Sequence, residues 1–208
     1  PGVAFIDLKN ILPAFSYVCH PIFVSIYGVL LYLWLSETPF NSSLTLILLI
    51  QVVILTMLLP LSIYYLMKAM GYIQSFTEAT IKERKIPILL QALFLFLLIS
   101  FSGFIKDLPA IYYFFIGGLI ASLGALLFTI FRFKVSLHMI GVTSLLAYTI
   151  SLGVYLNVSI VPLIAIVIVI VGNVASSRLY MKSHTVEELI AGSIIGLFSQ
   201  IIIWQFYL

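Results

Sequence analysis

Ser177-Arg178-Leu179-Tyr180-Met181-Lys182-Ser183-His184-Thr185-Val186-Glu187-Glu188-Leu189-Ile190-Ala191-Gly192 gathers polar and ionisable residues between two long apolar segments. Charged residues make up only 8% of this chain, yet Arg178, Lys182, His184 and Glu188 fall within eleven residues of one another. Ionisable groups beside membrane spans mark a functional site by default, because placing them there without a role is costly.

Outward from that stretch the chain reads as membrane. Hydrophobic residues make up 63% of it and its mean hydropathy is +1.25, far from the soluble average of about 25% charged residues. The apolar runs are roughly 17 to 25 residues long and lack the period-two alternation of barrel strands. The expected fold is therefore all-α, a polytopic membrane helix bundle of six or seven transmembrane helices in a single membrane domain, 1–208. Residues 1–17 read as an interfacial segment without chemistry, and the spans fall at about 20–35, 44–67, 88–105, 110–131, 137–156, 160–174 and 188–206. Pro60 is expected to kink the second span. Small residues at 117, 118, 121, 122 and 125, and Gly192 with Gly196, permit close helix contact. No targeting signal is read at the N-terminus, and the single cysteine, Cys19, reads as a packing residue.

Three polar clusters, 82–85, 132–138 and 178–188, are each separated by two spans. Two crossings return a chain to the same membrane face, so the clusters can meet, whereas an odd number would hold them about 30 Å apart. Of the ten Lys and Arg residues, Lys106 alone falls on the opposite face. That asymmetry places the basic face in the cytoplasm by the orientation rule, although residues that bind an anionic substrate bias the count the same way.

Ser177-Arg178, five residues, His184, three residues, Glu188 resembles the third signature of the type 2 phosphatidic acid phosphatase superfamily, Ser-Arg-x5-His-x3-Asp, with Glu in place of Asp. Val135-Ser136-Leu137-His138 is similar to its second signature, Pro-Ser-Gly-His, in Ser and His only. Lys82-Glu83-Arg84-Lys85-Ile86-Pro87 is a loose counterpart of the first, Lys-x6-Arg-Pro. The resemblance covers a phosphatase-like core at 82–196 and implies His184 as a nucleophile forming a phosphohistidine and Glu188 as its orienter. It implies His138 as acid and then base, and Arg178, Ser136 and one or more of Lys82, Arg84 and Lys85 as phosphate-binding residues; the charge of Lys134 is a candidate to compensate for the missing Gly. Physically, residues four apart share a helix face, so a carboxylate at 188 can fix the tautomer of His184, and the guanidinium fork suits phosphate oxygens.

The same residues have plainer readings. Thr185 and Glu188 also form a capping-box pattern, Arg178 and Lys182 also suit interfacial anchors, and 82–85 also suits a basic loop at lipid head groups. His20 reads as an interface residue. The function expected from the resemblance is hydrolysis of a lipid phosphate or a prenyl or lipid diphosphate in the bacterial inner (plasma) membrane, with the N-terminus and site on one face. The family usually places that face outside the cytoplasm, against the charge count. Membrane lipids and the lipid phosphate are the expected partners; no metal or other cofactor is implied, and no aromatic-basic pattern points to nucleic acid. The alternative is an inactive relative that binds phospholipid head groups or serves as a scaffold. A transporter fits less well, because the ionisable residues lie at span ends rather than the midplane.

Overall fold

In the computed structural model the described residues are 8–36, 42–73 and 80–208, with side chains from residue 12 and, after the first break, from residue 43. Part of the turn expected at 36–43, part of the connection at 68–87, Asp7 and the side chain of Lys9 lie outside them. The described chain is all-α, without strands: α1 (Leu8–Val18), α2 (Pro21–Leu35), α3 (Ser42–Val53), a π turn (Ile54–Leu58), α4 (Leu59–Ala69), α5 (Ile81–Phe101), α6 (Pro109–Ile130), α7 (Leu137–Tyr155), α8 (Val161–Tyr180) and α9 (Val186–Ile201). Six helical segments are long and apolar enough to cross a membrane, or seven if α1 and α2, bent by 67° at their junction, count as one span. Large apolar side chains such as Leu93, Phe96, Val169, Ile194 and Phe198 are exposed on their outer surfaces, as lipid-facing residues are.

α7 is the central helix: 72% of its apolar window is buried, against 33% or less in the other five spans. It packs against α9, α8, α2 and α6. Its contact with α9 is close because Gly192 and Gly196 leave room, as their Gly-x-x-x-Gly spacing suggests. A Cβ on Gly192 would stand 2.6 Å from the Ser136 carbonyl oxygen, and one on Gly196 would collide with Thr143 and the Ile140 carbonyl. Hydroxyls stitch the seam: Ser144 donates to the Gly196 carbonyl at 3.1 Å and Thr143 to the Ser193 carbonyl at 3.3 Å. Gly196→Ala is therefore expected to destabilise the bundle by about 1–3 kcal/mol through overpacking, read as a lower unfolding midpoint in detergent.

Two expected boundaries change. α5 begins at Ile81 rather than near 88, because Thr80 and Glu83 form a capping box: Glu83 Oε2 accepts from the Thr80 N–H at 2.6 Å and Thr80 Oγ1 from the Glu83 N–H at 3.4 Å. Pro87 then sits inside the helix and the basic cluster lies on it rather than in a loop. α8 continues to Tyr180, so Arg178 is helical. Ahead of Pro60, expected to kink the second span, the chain widens into the π turn and runs on, so that Ser43–Ala69 counts as one span, as 44–67 does in the sequence; a π turn absorbs the donor that proline lacks.

Candidate functional site

The stretch 177–192 folds as a helix end, a tight turn and a helix start. α8 closes in a Schellman motif: the Ser183 N–H donates to the Arg178 carbonyl at 3.1 Å and the Lys182 N–H to the Leu179 carbonyl at 2.9 Å. Lys182 takes the left-handed conformation at φ 51°, where glycine is usual, at a cost of about 1 kcal/mol. This reversal carries His184 back beside the end of α8. Thr185 then caps α9, its Oγ1 accepting from the Glu188 N–H at 3.4 Å.

Glu188 serves both roles that the sequence left open. Its Oε2 accepts from the Thr185 N–H at 3.3 Å, completing the capping box, and lies 2.6 Å from His184 Nδ1. Burial is the largest influence on His184, whose side chain is 1% exposed, and it favours the neutral ring; the hydrogen bond to Glu188 opposes it, and the charges of Arg84 and Arg178 add to it. The net effect holds the His184 pKa down, at about 4. A neutral ring donating Nδ1–H to a carboxylate keeps its lone pair on Nε2, which is the arrangement a nitrogen nucleophile needs.

Because the cap and the histidine share one carboxylate, Glu188→Gln separates them. Glutamine still accepts at the N3 position of a capping box, so the unfolding midpoint is expected to move little. If His184 acts as a nucleophile, turnover is expected to fall by about 10²-fold, since the charge that holds the ring in one tautomer is gone.

Arg178 is 7% exposed at the last turn of α8, and its Nε has no hydrogen-bond partner. Nη1 makes one weak contact, 3.9 Å to Met181 Sδ, and among the described residues no carboxylate pairs with it. The C-terminal end of the helix dipole offsets part of this charge. A buried guanidinium without a counter-ion is otherwise unfavourable, and its fork of donors suits a planar or tetrahedral oxyanion.

Of the first cluster, the structure brings Arg84 to the site and leaves Lys82 and Lys85 exposed. Arg84 is half-buried above Ile88 on the inward face of α5, and its charge acts on Glu188, His184 and Arg178. From the second cluster, Lys134 Nζ donates to the Ser183 carbonyl at 3.2 Å, and the Ser136 N–H donates to the Glu188 carbonyl at 3.2 Å. These bonds hold the start of α7 against the His184 turn. The Ser136 hydroxyl is fully buried and accepts from the Met139 N–H at 3.4 Å as the cap of α7, so its observed work is capping. His138, half-buried, lies within the fields of Arg178 and His184. All three clusters thus gather at one end of the bundle, as two crossings between neighbours require.

The N-terminal segment, expected as an interfacial helix without chemistry, lies at this end too. α1 packs on α8. The Ser16 and Ser177 hydroxyls are 2.6 Å apart in a buried contact, and the Ser16 carbonyl lies 3.1 Å from His138 Nε2. Phe15 and Cys19 pack against the Met139–Val142–Val174–Leu189 cluster. His20, expected as an interface residue, also lies here: its ring meets that of His138 edge-on, with centroids 5.1 Å apart at 87°. All three histidines of the chain therefore lie at one site. Their scarcity was the available signal for His20, which has no motif around it.

No group of three or more His, Cys, Asp and Glu among the described residues is placed to hold a metal ion. Chemically, the arrangement joins a neutral imidazole held by a carboxylate, a guanidinium with no carboxylate partner among the described residues, a second arginine and a further histidine, a set suited to binding an anion. No protein-family model, curated protein or solved structure matches this chain.

Proposed function

We propose that the protein is an integral membrane phosphatase that hydrolyses a lipid phosphate, or a prenyl or lipid diphosphate, through a phosphohistidine on His184. The observation that carries this reading is the 2.6 Å His184–Glu188 pair beside buried, unpaired Arg178. The resemblance of 177–188 to the third phosphatidic acid phosphatase signature supports it.

On this reading Arg178 and Arg84 clamp the phosphoryl oxygens, meeting charge that other phosphoryl-transfer sites meet with magnesium. Nε2 of His184 attacks phosphorus, the phosphorus–oxygen bond to the lipid breaks, and the leaving oxygen takes a proton from His138. The bound phosphoryl dianion beside His138 favours the protonated ring that gives this proton. In the second half His138 takes a proton from water, whose oxygen attacks phosphorus. The phosphorus–nitrogen bond breaks, its electron pair returning to His184, and inorganic phosphate leaves. The lipid tail stays in the bilayer, and membrane lipids are the surroundings and the source of substrate. A bacterial inner membrane suits this role, with the N-terminal helix and the site on one face. Cysteine at position 182, in a Cys19→Ser background, labelled by an impermeant reagent in intact cells, tells which face.

The second reading is a non-catalytic relative that binds phospholipid head groups. It is favoured by the hydrogen bond between His138 Nε2 and the Ser16 carbonyl and by the capping duty of Ser136. Purified protein given a panel of lipid phosphates separates the two. The phosphatase reading expects phosphate release and an acid-labile phosphoenzyme, both absent in His184→Ala. Lipid binding without turnover in either protein would leave only the second reading.

A further inference from the structure

We propose that His20 is a positioning residue of this site, holding His138 in one ring orientation and one tautomer. The proposal rests on the phosphatase reading for its kinetic consequence, but its structural content stands by itself. A carbonyl oxygen only accepts, so the 3.1 Å contact with Ser16 puts the proton of neutral His138 on Nε2 and leaves the lone pair on Nδ1. Nδ1 is therefore the atom through which His138 accepts a proton from water. A single hydrogen bond fixes one ring atom and still lets the plane swing about it. The edge-on ring of His20, 5.1 Å away at 87°, supplies the second restraint.

His20 is itself fixed. It stands at the 67° bend between α1 and α2, and its Nδ1 accepts from the Ile22 N–H at 3.3 Å as the cap of α2. On the α1 side of the bend, the Tyr27 hydroxyl donates to the Val18 carbonyl at 2.8 Å. Capping alone does not call for histidine, since Asn, Asp and Ser do it better. An imidazole at the cap adds an aromatic ring on His138. α1 and the α1–α2 junction thus meet His138 twice, through the Ser16 carbonyl and through His20.

The chain has three histidines, so full-length protein labelled with ¹⁵N-histidine in micelles gives three sets of ring signals, assigned by single substitutions. In the wild type His184 is expected as the Nδ1–H form, and His138 and His20 as Nε2–H forms. His20→Asn keeps an N-cap acceptor, and its unfolding midpoint is expected to match the wild type. In it His138 is expected to average between tautomers, and kcat to fall about tenfold at unchanged KM, as misorientation of an acid–base group does. His20→Phe keeps a ring there and is expected to restore the single His138 tautomer and most of kcat. A single His138 tautomer and full kcat in His20→Asn would overturn the proposal and leave His20 as a cap. Equal losses in Asn and Phe variants would overturn it too. Should the wild type release no phosphate from any lipid phosphate, the phosphatase reading fails, while the tautomer comparison still decides the role of His20.

Discussion

On the proposed phosphatase reading, His184→Ala is expected to lower phosphate release from a lipid phosphate by about 10⁴-fold or more, because a covalent route without its nucleophile falls back on binding alone. The fold should survive. Glu188 keeps its 3.3 Å bond from the Thr185 N–H, so the α9 cap is retained. The pH profile of the wild type gives a second check. With burial holding the folded pKa of His184 at about 4, below an ordinary value of 6.5, the nucleophile stays neutral across mild acid. The acidic limb of kcat/KM belonging to this group should lie near pH 4 in place of pH 6 to 7. The sign for stability follows: the unfolded chain binds this proton more readily between those values, so the contribution of His184 is complete above pH 6.5 and is lost as pH falls through 4. A limb at pH 6.5 would show an exposed, ordinary histidine and contradict the buried pair.

Arg178→Met should move activity and stability in opposite directions. Methionine fills similar space without charge, so removing a buried guanidinium that has no carboxylate partner is expected to raise stability by about 1–2 kcal/mol. Turnover should fall by about 10²–10³-fold with the loss of the oxygen clamp. Inorganic phosphate or orthovanadate should raise the wild-type unfolding midpoint and leave that of Arg178→Met unmoved, since only a ligand held in the native state stabilises it. A destabilised variant that still responds to vanadate would mean that Arg178 is structural. Together the two substitutions separate the readings: a head-group binder needs Arg178 and is indifferent to His184, whereas a phosphatase needs both.

The boundary at Pro87 shows how a readable signal was misjudged. Thr80-Ile81-Lys82-Glu83 spells a capping box in the sequence, yet the proline seven residues on read as the stronger start signal. With the true start, Arg84, Ile88, Ala92 and Leu95 fall three or four apart on one inward face, and Ile88, Ala92 and Leu95 are buried. Periodicity then sets Lys82 off that face, but Lys85, three residues before Ile88, lies as near to it as Arg84; only the packing leaves Arg84 half-buried and Lys85 exposed.

The sequence by itself determined the all-α membrane class, the alignment of the three polar clusters through even numbers of crossings, and the pairing of His184 with Glu188. Each follows from a short-range quantity: run length against bilayer thickness, crossing parity, and a four-residue helical spacing. Only the tertiary structure decided that α1 docks on α8, that Ser16 reaches across 161 positions to Ser177, and that His20 lies on His138. Those contacts depend on the bend at Cys19–His20 and on the fit of α1 to the α7–α8 surface. Shape complementarity between distant segments leaves no period in a sequence from which it can be read.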